Sequence, residues 1–445
     1  MLDSLDRKST KSLYIQIYDD LRKDILYGRM TSGEKLPSKR SLAERLGVSL
    51  VTVENAYAQL IDEGYIRSSQ RSGYYVQFNG APIVPTAESE MIHHVPDAPD
   101  ESPVISGLFP FTVWTRLMRA VILEKGTALL SASASYGVWE LRSEISRYLY
   151  RSHGISVHPR QIIIGAGTEY LYNMLVLLLG RTSGYGVEDP GYPKLSRIYE
   201  VNDIRFTPIP LDEQGMSCQA LYNSGVDIAH ISPAHHFPTG IVMPISRRLE
   251  IMQWASLKDE RFIIEDDYDS DFRWSGKPVP SMFGMDTSGK VIYVNTFSVT
   301  IAPSVRIGYM CLPESLCERW HDKLSFCSCP VPVFEQYTLA RFISDGYFER
   351  HISRMKKYYR RIREQVIRLF DTFGCNITEE RAGLHFLAEL PERRDELFGI
   401  CERCRISLRP LSRYCILGEQ CKEAYVVGYR NTDEAMLSEI IDSYS

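Results

Sequence analysis

Polar residues between positions 166 and 268 could together hold a phosphate group and an aromatic ring. Gly167 and Thr168 stand between a short apolar run and a helical pattern, so backbone N–H groups and a hydroxyl would face an anion at a helix N-terminus. Asp266 follows another apolar run, and its carboxylate could hold the proton of a ring nitrogen. Tyr268 could donate a hydrogen bond to a ring oxygen. These residue types predict a site for a phosphorylated, nitrogen-containing ring.

Three further side chains would complete such a site. Tyr192, at the end of the run Asp189-Pro190-Gly191-Tyr192, could stack on the face of the ring. Ser298 and Arg306 could add a hydroxyl and a guanidinium to the phosphate contacts. Taken singly, each of these residues is better explained by a helix cap, a capped loop or a core tyrosine. Only their joint order and spacing along the chain favour one common site.

The elements that would position these residues alternate between strands and helices. Residues 161–165, 261–265 and 291–294 each contain a short apolar run, which is typical of strands buried on both faces. Residues 141–150 and 169–179 have helical apolar spacing. Strands of this kind separated by helices predict a mostly parallel α/β sheet. Ligands in such sheets bind at the carboxyl ends of the strands, where the polar residues fall.

The first 78 residues predict an α+β winged helix-turn-helix. Apolar spacing indicates a helix over residues 13–26, and Ser38 and Ser49 can each cap a following short helix. Gly47 can end the first of these two helices, and residues 66–78 form two strands around a wing. A winged-helix unit used only for protein contacts is the alternative. The candidate DNA-binding residues are Ser38, Lys39, Arg40, Ser49, Leu50, Thr52, Arg71 and Gly73.

The chain of 445 residues is too long for one ordinary core, and its composition changes twice. We predict a DNA-binding domain over residues 1–78, a Pro-rich linker over 79–107 and a large domain over 108–445. The linker is interpreted as a plain spacer or as a regulatory relay.

The N-terminus has no apolar signal core and no apolar run is long enough for a membrane span, so we expect a cytoplasmic protein without membrane contact.

The ten cysteines all lie between Cys218 and Cys421. Without an export signal they are expected to be reduced thiols. A zinc site built from Cys401, Cys404, Cys415 and Cys421 is conceivable, but their spacings match no common zinc template. Half-buried cysteines therefore explain the pattern better, and no metal site is predicted.

The N-terminal sequence closely resembles the GntR family of regulators. The matching runs include Leu36-Pro37-Ser38-x-Arg40-x-Leu42-Ala43 and Gly47-Val48-Ser49-x-x-Thr52-Val53. This resemblance implies a double-stranded DNA operator as partner. The family usually has an arginine after the serine, whereas this chain has Leu50, so one base or phosphate contact is expected to be lost or replaced.

Residues 109–440 resemble the fold-type I aminotransferase-like domain of the MocR branch of GntR regulators. The most specific runs are Pro233-Ala234-His235-His236-Phe237-Pro238-Thr239-Gly240 and Glu265-Asp266-Asp267-Tyr268-Asp269-Ser270. The resemblance implies a pyridoxal-phosphate (PLP) transferase fold with a large and a small subdomain. It also implies a homodimer, with PLP and an amine or amino acid as effectors. The cofactor-binding residues would be Gly167, Thr168, Tyr192, Asp266, Tyr268, Ser298 and Arg306.

One residue departs from that family pattern at the position of the lysine that binds PLP. Family members have a lysine after the serine of this motif, and this chain has Val299 after Ser298. Because an isopropyl group is neither a nucleophile nor a base, the covalent bond to PLP and the proton transfers of transamination lose their usual residue. Residues 295–305 contain no lysine that could replace it.

A second departure lies near the C-terminus. Family sequences commonly have Arg-Leu-Gly-Phe/Tyr, in which the arginine holds a substrate carboxylate, and this chain has Val426-Val427-Gly428-Tyr429. The arginines that could compensate are Arg409, Arg413 and Arg430. Lys194 stands where some relatives have an arginine two residues after the tyrosine.

The sequence favours a transcriptional regulator without catalytic residues. Its aminotransferase-like domain would serve dimerisation and effector sensing, and PLP, another vitamin B6 vitamer or a related phosphorylated ligand would bind without a covalent bond. Two alternatives remain open. One is a regulator that binds PLP through a displaced lysine, and the other is a true aminotransferase with an attached DNA-binding domain.

Overall fold

The computed structural model describes residues 5, 11–69, 72–78, 108–275, 279–378, 381–391, 394–418 and 423–444. The chain divides into two compact units, Met1–Pro99 and Asp100–Ser445. The predicted linker over residues 79–107 lies outside the described residues. Within the described part of the chain, no helix combines the length and the apolar character needed to cross a bilayer.

The N-terminal unit has three helices followed by a two-stranded antiparallel sheet, as predicted for a winged helix-turn-helix. Their bounds are α1 (Leu13–Leu26), α2 (Lys39–Leu46), α3 (Leu50–Asp62), β1 (Ile66–Ser69) and β2 (Gly73–Val76). Ser38 and Ser49 cap α2 and α3 through their side chains, and Gly47 ends α2 with a φ of 62°, in the left-handed region. The three capping predictions are therefore confirmed.

The large unit alternates helices and strands. Its helices are α4 (Phe111–Lys125), α5 (Trp139–His153), α6 (Thr168–Leu179), α7 (Pro193–Val201), α8 (Cys218–Asn223), α9 (Ile245–Ser256), α10 (Met282–Met285), α11 (Phe297–Thr300), α12 (Glu314–Leu324), α13 (Val333–Ser344), α14 (Tyr347–Thr372), α15 (Asp395–Arg403) and α16 (Glu434–Tyr444). Its strands are β3 (Ile162–Gly165), β4 (Tyr185–Asp189), β5 (Phe206–Asp212), β6 (Gly215–Met216), β7 (Ile228–Ile231), β8 (Phe262–Asp267), β9 (Val291–Thr296), β10 (Gly308–Cys311), β11 (Asn376–Thr378), β12 (His385–Glu389), β13 (Ser407–Pro410) and β14 (Tyr425–Gly428).

Eight of these strands form one sheet in the order β3-β10-β9-β8-β7-β4-β5-β6. Neighbours from β9 to β5 pair in parallel, and β10 runs antiparallel between β3 and β9. The sheet is therefore mixed but mostly parallel, as predicted. A second, antiparallel sheet in the order β11-β12-β14-β13 belongs to the smaller subdomain.

Helices cover both faces of the large sheet, which explains the apolar runs in strands such as β3 and β9. Ile162 and Ile164 of β3 pack into one hydrophobic cluster, whereas Ile163 between them packs into the cluster on the opposite face. In β9, Tyr293 packs into the first of these clusters and Ile292 into the second, on the opposite face of the sheet. Because successive side chains of a strand point to opposite faces, both sets must be apolar when both faces are buried.

Eight of the described cysteines are free thiols, among them Cys401 and Cys404. Cys415 is disulfide-bonded, so the prediction of reduced thiols is wrong for that residue. Cys421 lies outside the described residues. Cys401 and Cys404 are buried in the apolar core of the smaller subdomain, and burial raises the pKa of both thiols. Protonated thiols in an apolar core are poor metal ligands.

Candidate ligand pocket and nucleic-acid interface

The phosphate cradle is formed where β3 passes into α6. β3 ends at Gly165, and Gly167 precedes the first residue of α6, Thr168, with a φ of 86°. A Cβ atom at Gly167 would lie 2.9 Å from Nη2 of Arg306. Only glycine both adopts this backbone conformation readily and leaves space for the guanidinium. The free N–H groups of the α6 N-terminus and the Arg306 side chain therefore share one small volume.

Arg306 is itself held in the left-handed region, with a φ of 47°, directly after a turn at Pro303–Val305. Its Nη2 lies 2.9 Å from Oε2 of Glu169. The other oxygen of Glu169 lies 2.9 Å from Nζ of Lys194. Hydrogen bonding to Lys194 lowers the pKa of Glu169. Two cations beside the cradle thus share one carboxylate.

Asp266 lies near the end of β8 and is buried. Its Oδ2 accepts a hydrogen bond from the Tyr172 hydroxyl, and Nε2 of His230 is 3.9 Å from the same oxygen. Its Oδ1 is buried and has no hydrogen-bond partner among the described residues. A buried carboxylate oxygen without a partner is energetically costly, which is expected where a ligand supplies the missing donor.

Two tyrosines could contact an aromatic ligand. Burial raises the pKa of Tyr268 well above its ordinary value and also raises the pKa of Tyr192, so both hydroxyls are hydrogen-bond donors at neutral pH. The Tyr268 hydroxyl lies 3.4 Å from Nδ1 of His235. The Tyr192 ring meets the ring of Phe237 edge to face, with centroids 5.9 Å apart.

Ser298 and Val299 lie in the short helix α11, which directly follows β9. The Ser298 hydroxyl is buried without a hydrogen-bond partner among the described residues. Val299 is half-buried and packs against the core of the smaller subdomain. Arg430 donates to the backbone carbonyl of Ser298 at 3.0 Å, which ties the smaller subdomain to this helix.

A cavity of about 290 Å³ brings most of these side chains together. Six of the seven predicted cofactor-binding residues line it, and Gly167 lies behind Arg306. Val299 also lines it. Five lining residues were not predicted from the sequence, although Tyr172 could have been found because it lies one helical turn after Thr168. The missed residues are Glu169, Tyr172, Ser232, Phe237 and Thr296.

A neighbouring cavity of about 230 Å³ shares Tyr192 and Asp266 with the first and is also lined by Arg413. At its wall lies Glu188, whose pKa burial raises to about 8. Oε2 of Glu188 is 3.3 Å from Nε2 of His236, and burial lowers the pKa of His236 to about 3. The two shifts have the same cause, burial, and both leave the group uncharged at pH 7.

In the N-terminal unit, the predicted DNA readers lie at the start of α3. The Ser49 hydroxyl accepts from the Thr52 backbone N–H at 3.2 Å and lies 2.7 Å from the Thr52 hydroxyl. Leu50 and the neighbouring Val51 are exposed, the latter by 61%. The outward face of the helix continues at Asn55, which the sequence analysis missed although it lies one turn after Val51. An amide at this position is suited to reading an adenine edge.

The residues predicted to contact DNA phosphates differ in how freely their side chains could reach DNA. Arg40 and Ser38 are exposed at the start of α2. Nζ of Lys39 lies 3.2 Å from Oε1 of Glu54, so its charge is partly neutralised. Gly73 begins β2 with a φ of 117°. Arg71, the predicted wing residue, lies outside the described residues.

The pocket residues fit a phosphorylated pyridine. A Cβ atom at Gly167 would crowd the Arg306 guanidinium, and the unpartnered Ser298 hydroxyl belongs to a residue that lines the same cavity as Arg306. The unpartnered Asp266 Oδ1 suits a protonated ring nitrogen. Position 299 of the pocket is a valine and therefore has no amine. The arrangement can bind and orient such a ligand, but Val299 cannot form a bond to it.

Comparison with known proteins agrees with both units. Residues 13–76 match the family of bacterial regulatory proteins called the gntR family, and residues 106–416 match aminotransferase class I and II. The chain is 36% identical to YdeL, an uncharacterized HTH-type transcriptional regulator of Bacillus subtilis, over 92% of this chain and 91% of YdeL. It is 28% identical to PdxR, the HTH-type pyridoxine biosynthesis transcriptional regulator of Corynebacterium glutamicum, over 99% of this chain and 98% of PdxR.

The large unit has the fold of a PLP-dependent transferase of fold type I. It superposes on a kynurenine aminotransferase from Pyrococcus horikoshii with a TM-score of 0.64 and 23% identity, over 75% of this chain and 85% of that protein. Together with the helix-turn-helix, this fold defines a transcriptional regulator built on an aminotransferase-like domain. The chain belongs to the GntR family of bacterial regulators, in the MocR-type branch that joins these two domains.

Proposed function

We propose that this regulator senses a phosphorylated vitamin B6 vitamer without bonding to it covalently and without catalysing transamination. The proposal depends on one observation: Val299 lines the same cavity as Asp266, Ser298 and Arg306. These residues retain contacts for a ring nitrogen and a phosphate, while the position of the expected lysine bears an isopropyl group. Because the nucleophilic lysine is absent while the ligand contacts remain, the pocket favours non-covalent binding of a vitamer over transamination.

In the alternative function, a lysine elsewhere in the pocket would bind PLP covalently. Among the described residues, Lys194 is the one lysine that lines this cavity, so this alternative depends on it. Its Nζ is 2.9 Å from Oε1 of Glu169, and this hydrogen bond raises the pKa of Lys194. A more firmly protonated amine is a poorer nucleophile. The environment of Lys194 therefore favours a charge contact over covalent bonding.

Each pocket residue has a binding role in this proposal. The α6 N-terminus, Thr168 and Arg306 hold the phosphate, and Asp266 accepts the proton of the ring nitrogen. Tyr268 donates to the ring hydroxyl. When bound, pyridoxal phosphate would supply an aldehyde that reacts with amines, but Val299 leaves that aldehyde without a protein partner. Pyridoxamine phosphate, which has no aldehyde, should therefore bind comparably.

The regulatory function rests on two further parts of the proposal. The exposed starts of α2 and α3 bind a double-stranded operator through Arg40, Ser49 and Thr52. The chain acts as a homodimer, which would present two such reading heads to two half-sites. The B6 vitamer is then the effector itself, because an amine or amino acid has no covalently held cofactor to react with. The name of the relative PdxR supports a vitamer as the signal.

The proposal is tested by borohydride reduction of the purified protein in the presence of pyridoxal phosphate, followed by intact mass measurement. Wild-type protein should gain no mass at a pocket lysine, while isothermal titration detects binding of pyridoxal and pyridoxamine phosphates. The Val299→Lys variant should gain one pyridoxyl group, located by peptide mapping at residue 299.

Peptide mapping also separates the alternatives. A pyridoxyl group on Lys194 of the wild-type protein would establish the displaced-lysine reading, and Lys194→Arg is the matched control because it keeps the charge without the nucleophile. Turnover of an amino acid by the wild-type protein would show an active transaminase. Failure of both calorimetric binding and Val299→Lys labelling would show that the pocket no longer takes a vitamer.

A further inference from the structure

A second group of chemically active side chains lies beside the ligand pocket. His235 follows β7, Asp269 follows β8, and His385 begins β12. One ligand atom from each of these residues lies within 4.8 Å of the other two. Nδ1 of His235 is 2.9 Å from Oδ2 of Asp269, and the rings of the two histidines have centroids 4.5 Å apart. Three segments distant in sequence thus converge on one point.

The three residues are almost completely excluded from solvent. His235 is 1% exposed, Asp269 3% and His385 6%. Nε2 of His235 and Nε2 of His385 are both buried without a hydrogen-bond partner among the described residues. Buried imidazole nitrogens are normally satisfied, so two orphaned nitrogens in one cluster call for an additional group.

The hydrogen-bond pattern of His385 suits a ligand role. The His385 ring makes hydrogen bonds to the backbone of His236 and Pro238. Since Nε2 has no partner, those backbone contacts fall to Nδ1, which leaves a lone pair on Nε2. Metal-bound histidines generally donate their second ring N–H to a carbonyl or carboxylate in this way.

The backbone at Gly383 closes the cluster from the side of the smaller subdomain. Gly383 has a φ of 68°, and a Cβ atom there would lie 2.2 Å from Nδ1 of His235 and 2.5 Å from Oδ2 of Asp269. No side chain can be accommodated at this position without displacing the cluster. Glycine at this position therefore lets the backbone pack directly against His235 and Asp269.

We propose that His235, His385 and Asp269 bind a divalent transition-metal ion, with zinc as the preferred occupant. Two imidazoles and one carboxylate form a common zinc ligand set, and ligand distances of about 2.0–2.2 Å are reached by small movements of the three side chains. The ion would compensate the buried carboxylate of Asp269 and bind one nitrogen of each imidazole. The Tyr268 hydroxyl, 3.4 Å from Nδ1 of His235, lies between this site and the ligand pocket.

The test is the metal content of tag-free, full-length protein, measured by inductively coupled plasma mass spectrometry. Wild-type protein expressed with zinc should contain about one ion per chain and keep it during native dialysis against a chelator, since the ligands are buried. Cobalt-loaded protein should show the visible d–d bands of a low-symmetry site, without the charge-transfer bands of cysteine thiolates.

Two variants assign the site. His385→Phe, which keeps a buried aromatic ring, should lower the metal content at least tenfold while circular dichroism and DNA binding stay at wild-type levels. His236→Phe is the matched control, because His236 is an adjacent buried histidine outside the cluster, and its metal content should not change. Wild-type protein that contains no stoichiometric ion after zinc or cobalt loading would overturn the proposal, as would thiolate bands in the cobalt spectrum. These readouts do not depend on vitamer binding.

Discussion

Oε2 of Glu169 lies 2.9 Å from Nη2 of Arg306, at the point where a ligand phosphate would need that guanidinium. The second oxygen of Glu169 pairs with Lys194. One carboxylate is therefore shared by the two cations that line the cavity beside the α6 N-terminus. Because an anionic ligand would have to compete with Glu169 for these cations, we expect this residue to limit the affinity of the cradle.

We expect Glu169→Gln to bind pyridoxamine phosphate more tightly than wild-type protein. Removing one negative charge a few ångströms from the phosphate should improve binding by about 1 kcal/mol, roughly fivefold, with a smaller gain at high salt. Isothermal titration at two salt concentrations measures both effects. Glu439→Gln makes the same charge change on the exposed face of α16 and should leave the affinity unchanged. Equal or weaker binding by Glu169→Gln would mean that Glu169 helps to hold the ligand.

Asp266→Asn should weaken the binding of ligands that contain a protonated ring nitrogen. A hydrogen bond to a charged partner contributes about 1.5–3 kcal/mol, so pyridoxamine phosphate should lose about tenfold to a hundredfold in affinity. Phenyl phosphate, which has no ring nitrogen, serves as the comparison ligand. Its affinity should change little, because the phosphate contacts are intact and an amide oxygen still accepts from Tyr172. A parallel loss for both ligands would indicate a general disturbance of the pocket.

Much of the fold and pocket could be predicted from local sequence. The strands β3, β8 and β9 are buried on both faces and were visible as apolar runs, and the caps of α2 and α3 follow from single serines. The placement of Thr168, Asp266 and Ser298 around one cavity follows from the rule that parallel strands present their carboxyl ends at one edge.

The remaining features depend on contacts between distant segments. The Glu169–Arg306 pair joins residues 137 positions apart, and the Arg430 contact with Ser298 spans 132 positions. No periodicity marks such contacts, because they depend on side-chain directions set by the whole fold. The antiparallel position of β10 between β3 and β9 was missed for the same reason. His235, Asp269 and His385 also meet only in three dimensions.

In the N-terminal unit, we expect Arg40→Ala to weaken DNA binding to all sequences. Loss of one phosphate contact should lower the slope of log affinity against log salt by about 1. Adding Thr52→Ala should further reduce discrimination between the operator and unrelated DNA, because Thr52 lies at the start of the recognition helix. Fluorescence anisotropy over a salt series measures both quantities. Lys23→Ala, an exposed cation on α1, is the matched control. Full affinity in the double variant would refute the assigned reading head.

The buried pair of Glu188 and His236 predicts a pH-dependent stability. The pKa of Glu188 is raised from 4.5 to about 8 by burial, so above pH 4.5 the unfolded chain loses this proton while the folded chain keeps it. Stability from this residue therefore falls as pH rises, until pH 8. His236, whose pKa is lowered from 6.5 to about 3, has the opposite effect below pH 6.5. Between pH 6.5 and 8 only the decline due to Glu188 remains.

Glu188→Gln should remove that decline, since glutamine is isosteric with the protonated acid and can still accept from the Ser232 backbone N–H. Wild-type protein should lose up to about 1.4 kcal/mol of unfolding free energy per pH unit between pH 6.5 and 8 relative to the variant. Denaturant midpoints of both proteins across this range measure the difference. Glu213→Gln removes an exposed carboxyl and should keep the wild-type slope. Parallel pH profiles for wild type and Glu188→Gln would show that Glu188 is ionised in the folded protein, and His236 would then have to be its proton donor.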